Sequence, residues 1–131
     1  MKKEIEIIET KDAPSAIGPY SQAVEAGGFL FVSGQVGFDP KTTRLVPGGI
    51  VEQTAQILDN IRAVLSARKI AFDRIVKVTV YLTSMDDFSE MNRIYGLYFK
   101  SGYPARETVQ VSRLPKGALI EISCIALLKK G

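Results

Sequence analysis

Two hydrophobic periods alternate along this chain, and their order restricts the fold more than any single residue does. Period-two runs, the mark of strands, occupy Glu4 to Ile8, Gln22 to Ala26, Phe29 to Val32, Ile75 to Leu82, Arg106 to Val111 and Leu119 to Leu128. The helical period appears twice. It runs from Val51 to Arg68, with Thr54, Ile57, Leu58, Ile61, Val64 and Leu65 as its stripe, and from Asp87 to Lys100, with Phe88, Met91, Tyr95, Tyr98 and Phe99. Ser84 or Asp86 can cap the second helix, and Gly102 and Pro104 stop it. Gly27-Gly28 fits a two-residue hairpin turn that needs positive φ. Ser33-Gly34-Gln35 interrupts the following strand as a bulge or a close backbone approach. Val76, Val78, Val80 and Leu82 mark the expected buried face of the fourth strand. The sum is an α/β (α+β) chain, a mixed sheet with two helices packed on one face. The other face would lie bare in a monomer, so self-association is expected.

The 131 residues, 46% of them apolar, predict a single domain spanning 1–131. No apolar run approaches the roughly 18 residues that cross a bilayer, so no membrane role is expected. Acidic residues break up the N-terminal apolar stretch, which therefore does not read as a signal peptide. A lone cysteine, Cys124, forms no internal disulfide and fits a reducing compartment, giving a cytoplasmic expectation. The net charge is +3, but the basic residues are scattered and no nucleic-acid motif matches, so nucleic acid is not the favoured partner.

There is no histidine. The usual zinc and iron ligand sets and any Ser-His-Asp or Cys-His arrangement are therefore unavailable, and neither metal nor cofactor is expected. Acid–base chemistry falls to Glu, Asp, Tyr or Lys.

One segment combines the groups such chemistry needs. From Pro104 to Ile122, Arg106 and Glu121 stand on two β-type runs joined by a tight connection. Arginine is a fixed fork that grips a carboxylate through two parallel hydrogen bonds, and a glutamate can position or deprotonate water. By alternation Arg106, Thr108 and Gln110 share one face, as do Glu121 and Ser123, so the two sets converge if their strands come together suitably. An exposed cross-strand ion pair is the competing reading. Ser33 and the Gly34 backbone offer donors suited to an anion or carbonyl oxygen. Tyr20 follows Gly18-Pro19 as a core phenol or pocket wall, and Asn92 either caps a pocket or faces water. Cys124 alternates with core positions and reads as an inert buried thiol. Gly27-Gly28 and Gly48-Gly49 lack any phosphate-loop context.

Several blocks now match a known pattern: Ala16 to Ala23 (AIGPYSQA), Phe31 to Gln35, Asn60-Ile61, Val76 to Leu82, Met91-Asn92 with Tyr95 and Tyr98-Phe99, and Pro104-Ala105-Arg106 through Ile120-Glu121-Ile122. Over essentially its whole length the chain resembles the RidA (YjgF) family of reactive-intermediate imine deaminases. The resemblance implies a chorismate-mutase-like fold assembled as a homotrimer with pockets between subunits. It implies hydrolysis of 2-imino acids and their enamine tautomers, such as 2-aminoacrylate, to 2-keto acids and ammonia. Arg106 would hold the substrate carboxylate and Glu121 would handle water. Tyr20, Ser33, the Gly34 backbone and Asn92 would shape the pocket. Thr108 stands where many relatives carry cysteine, and its hydroxyl can still bind substrate. The rival reading is a non-catalytic trimer that binds small acids or regulates a partner, including translation-inhibitor-type roles. Chorismate mutase activity is suggested by fold analogy alone.

Overall fold

The computed structural model describes residues 3–129. Along them run β1 (Ile5–Ile8), β2 (Ala23–Ala26), β3 (Phe29–Gln35), α1 (Ile50–Ser66), β4 (Ile75–Leu82), α2 (Phe88–Gly96), β5 (Ala105–Gln110) and β6 (Ile120–Leu127). The strands form one sheet in the order β1-β2-β3-β6-β4-β5. Only β4 and β5 pair in parallel; the other neighbours are antiparallel.

The placement of both helices follows from chain chirality. Strands β3 and β4 each run antiparallel to β6, so they are parallel to one another, and α1 is the crossover between them. Helix α2 is the crossover from β4 to β5. Both connections step across the sheet in the same direction, and right-handed crossovers then put both helices on the same face. Ile57, Leu58, Ile61, Val64 and Leu65 of α1 and Met91 and Tyr95 of α2 pack there against Leu30, Val32, Val78, Val80, Leu82, Ile120 and Ile122. Burying each of the large aliphatic side chains contributes roughly 1.5–3 kcal/mol.

The β2–β3 hairpin turns on Gly27 and Gly28, whose φ angles are 59° and 85°, a primed turn that glycine adopts without strain. Buried polar side chains fix the connections. Gln22 donates from Nε2 to the carbonyls of Thr10, Ala13 and Pro14 at 3.1, 3.3 and 2.8 Å, and its Oε1 accepts from the Thr10 N–H at 2.8 Å. On α1, Gln53 accepts from the Leu119 N–H and Asn60 donates to the Phe38 carbonyl, both at 2.9 Å. These bonds satisfy loop groups that no strand pairs.

Three expectations are corrected. Val76 is 43% exposed, because an irregularity between Ile75 and Lys77 turns Ile75 inward in its place. Helix α2 ends at Gly96, short of Lys100, and a 3-10 turn over Met85–Asp87 precedes it, with the Ser84 side chain accepting from the Asp86 N–H. Most consequential, β5 and β6 are not partners: β4 lies between them.

The face opposite the helices carries two apolar rows across the register. Ile7, Val24, Phe31 and Ile125 form one, and Ile5, Ala26, Phe29 and Leu127 the other. Ile5, Ile7, Phe29, Phe31 and Leu127 are exposed. Among the described residues nothing covers them.

Candidate functional site: two half-sites on opposite faces of one sheet

The first half-site grows from the bulge in β3. Val32 lies opposite Cys124 and Gln35 opposite Ile122, so the ladder slips between them and leaves Ser33 and Gly34 outside regular pairing. The Ser33 N–H donates to the Gln22 carbonyl at 3.0 Å and its hydroxyl to the Ser21 carbonyl at 2.6 Å. Gly34 leaves the space that the Glu121 carboxylate occupies. A β-carbon there would lie 2.7 Å from Glu121 Cδ, so the absence of a side chain lets the carboxylate rest against the backbone. Burial raises the Glu121 pKa above its ordinary 4.5. Tyr20 closes the outer side; its hydroxyl accepts from the Ile17 N–H at 3.4 Å. Together Tyr20, Ser33, Gly34 and Glu121 line a hollow of about 360 Å³.

The second half-site lies on the helix side of edge strand β5. Arg106 is level with Val78, a core residue, and therefore points toward α2. Its guanidinium carbon is 4.8 Å from the Tyr95 ring centroid and 5.7 Å from that of Phe88. Its Nη1 is 4.0 Å from the Met91 sulfur. No carboxylate pairs with it among the described residues. Asn92, Tyr95, Tyr103 and Arg106 line a hollow of about 370 Å³. Thr108 follows Arg106 on the same face, and its hydroxyl oxygen is buried without a hydrogen-bond partner, as is that of Tyr95. The Tyr95 phenol is pushed up to about 12 by burial, against the pull of the nearby Arg106 charge. It stays neutral across any ordinary working pH.

The residues named from the sequence thus divide in two. Tyr20, Ser33, Gly34 and Glu121 are together, and Arg106 and Asn92 are together with Thr108 on the same face. Arg106 and Glu121 do not converge within one chain. Glu121 is level with Tyr81, three residues from Val78 on β4, and so faces the opposite side of the sheet from Arg106. Gln22 was not singled out by sequence reasoning, although it pins the loop that carries Tyr20 and anchors Ser33. A polar side chain directly before the strand was its only signal. Cys124 is buried and its thiol is pushed up to about 12 by desolvation, which rules out a thiolate nucleophile.

Each half has a chemical aptitude. An unpaired guanidinium among aromatic faces is a receptor for a planar anion. A desolvated carboxylate beside an open backbone is a proton acceptor for water.

Comparison with known proteins shows what the chain as a whole is similar to. A family described as Endoribonuclease L-PSP matches residues 10–128. A RutC family protein of Pyrococcus horikoshii is 54% identical over 92% of this chain and 96% of its own length. A 2-iminobutanoate/2-iminopropanoate deaminase of Mus musculus is 48% identical over 92% of this chain and 90% of its own. The crystal structure of a conserved Rid family protein from Yersinia pestis, 51% identical, superposes with a TM-score of 0.92 over 95% of this chain and 99% of that one.

Proposed function

Since this chain belongs to the RidA (YjgF) family, we propose that it hydrolyses 2-imino acids and their enamine tautomers to 2-keto acids and ammonia. Its active sites lie between copies of a homotrimer. One copy contributes Arg106, Asn92 and Thr108, and its neighbour contributes Tyr20, Ser33, Gly34 and Glu121.

The reading rests on one observation above the others: a guanidinium and a desolvated carboxylate, each at a hollow, stand back to back across one sheet. Neither half can process a small acid alone. The bare apolar face gives copies a reason to associate, since a monomer would leave it in water. In the joined site the Arg106 fork holds the substrate carboxylate, and Asn92 and the Thr108 hydroxyl bound the space beside it. The protonated imine carbon is already electrophilic. Glu121 takes a proton from water as its oxygen bonds to that carbon, giving a carbinolamine. The protonated Glu121 returns that proton to the nitrogen, and as the C–N bond breaks and ammonia leaves, the carbinolamine hydroxyl gives its proton back to Glu121 and becomes the carbonyl. The burial-raised pKa makes Glu121 a stronger base than an exposed glutamate. Orientation and proton transfer suffice for so reactive a substrate.

The test generates 2-aminoacrylate with a serine dehydratase and follows pyruvate release with and without this protein. Acceleration is the expected result. Binding of pyruvate with no acceleration would instead support the non-catalytic small-acid module.

Glu121 also sets the pH dependence. Its folded pKa lies above 4.5, so the ionised, proton-accepting form is lost as pH falls through that raised value. The acid limb of kcat/KM, which reports the free enzyme, should therefore lie above the position expected for an exposed glutamate. It should vanish in Glu121→Gln, as a kcat/KM profile extended to acid pH would record.

A further inference from the structure

We propose that Tyr95 is a positioning residue for Arg106: its ring face holds the guanidinium so that the N–H fork is presented to the substrate carboxylate. The proposal rests on the carboxylate-clamp role given to Arg106 above.

An arginine on an edge strand, with no carboxylate partner among the described residues, has four side-chain torsions free to rotate. Something must restrict them if the fork is to be ready for substrate. Helix α2 supplies it. Phe88, Met91 and Tyr95 recur at intervals of three and four, so they form one row on the helix surface facing Arg106. Within that row Tyr95 lies nearer than Phe88, 4.8 against 5.7 Å from ring centroid to guanidinium carbon. Tyr95 is also the fixed member. It is 4% exposed, and its ring packs on Phe99 with centroids 4.7 Å apart. A guanidinium held by the electrons of an aromatic face keeps its N–H groups for an anion, whereas one held by a carboxylate has spent them. Tyr95 thus immobilises the cation without neutralising it.

The hydroxyl has a different standing. It is buried with no hydrogen-bond partner of good geometry among the described residues, yet it lies near the Arg106 cation, so the contribution of the ring is measured against the Phe form, which lacks the phenol.

The experiment weakens the ring's electron density while keeping its shape. Tyr95 is replaced by Phe and, in a second protein, by pentafluorophenylalanine, whose ring presents a positive face. The expected result for the fluorinated form is a KM for the imino acid raised about tenfold over the Phe form, with kcat within about twofold. The Arg106 Nε–H proton resonance should show a ring-current shift in the wild type and the Phe form. Equal KM in the two substituted proteins, a loss confined to kcat, or an Arg106 resonance lacking the ring-current shift would overturn the proposal. If the wild type hydrolyses no imine, the deaminase reading falls, and the resonance then decides the positioning claim alone.

Discussion

Replacing Arg106 with alanine is expected to lower kcat/KM for 2-aminoacrylate by about 30- to 3000-fold, the range that follows from removing one partner of a buried charge-assisted pair. Much of the loss should appear as a raised KM, because the fork grips a carboxylate that does not change during the reaction. Part should appear in kcat, since a substrate held by its imine end alone no longer presents its carbon to the water. The folded protein should tolerate the change. Arg106 is only partly buried and has no carboxylate to leave orphaned among the described residues, so the melting temperature should fall little. Arg106→Lys should recover only a fraction, because an ammonium is a point charge and cannot fork. Pyruvate affinity measured by calorimetry checks the assignment directly. Affinity in Arg106→Ala equal to wild type would remove Arg106 from the site.

Glu121→Gln should have the complementary signature. The amide keeps the shape but cannot accept a proton, so kcat should drop about 10²- to 10⁴-fold while pyruvate affinity changes little. Stability should move the other way from activity. A carboxyl whose folded pKa is raised above its unfolded value contributes stability at low pH that is lost as pH rises through the folded pKa. Above that folded pKa the ionised group is therefore unfavourable to the fold, and there the glutamine form should melt no lower than wild type. The two variants also test each other. Mixed and reassembled in equal amounts, they should recover about a quarter of wild-type activity, the statistical share of interfaces that pair an intact Arg106 with an intact Glu121. A mixture no more active than its parts would mean that both groups serve a site within one copy.

Much of this architecture was legible because it is local. The hairpin turn needs only two adjacent residues at positive φ, and Gly27-Gly28 announces it. The α1 stripe is a periodicity, and the Ser33-Gly34 bulge is a glycine where a strand should continue. What escaped depends on neighbours in space. Alternation assigned Arg106 and Glu121 to faces within their own strands, but their common side depended on which strand lies between them. That was settled by β4 entering between β5 and β6, a choice no short window contains. Val76 failed likewise: one irregularity at Ile75 and Lys77 reversed the parity of the alternation. The pairing of Arg106 with Tyr95 needed both strand and helix in place. The open space at position 34 was legible only as glycine, and what fills it, the Glu121 carboxylate lying against the backbone, came from a strand almost ninety residues later.

The bare sheet face has a consequence for biogenesis as well as for chemistry. In the proposed assembly, a newly made chain that has already buried its helix side still leaves Ile5, Ile7, Phe29, Phe31 and Leu127 in water until other copies arrive. Assembly is a collision process, so the exposed interval lengthens as expression falls, and misdirected strand pairing competes during it. The outermost strand carries a partial defence. Lys3, Glu4, Glu6 and Glu9 surround its apolar residues with charge, and Arg68 reaches from beyond α1 to bind Glu6 at 3.2 Å and Glu25 at 2.8 Å. The same short N-terminal strand thus lends apolar area to the future contact and, with charge, discourages indiscriminate ones.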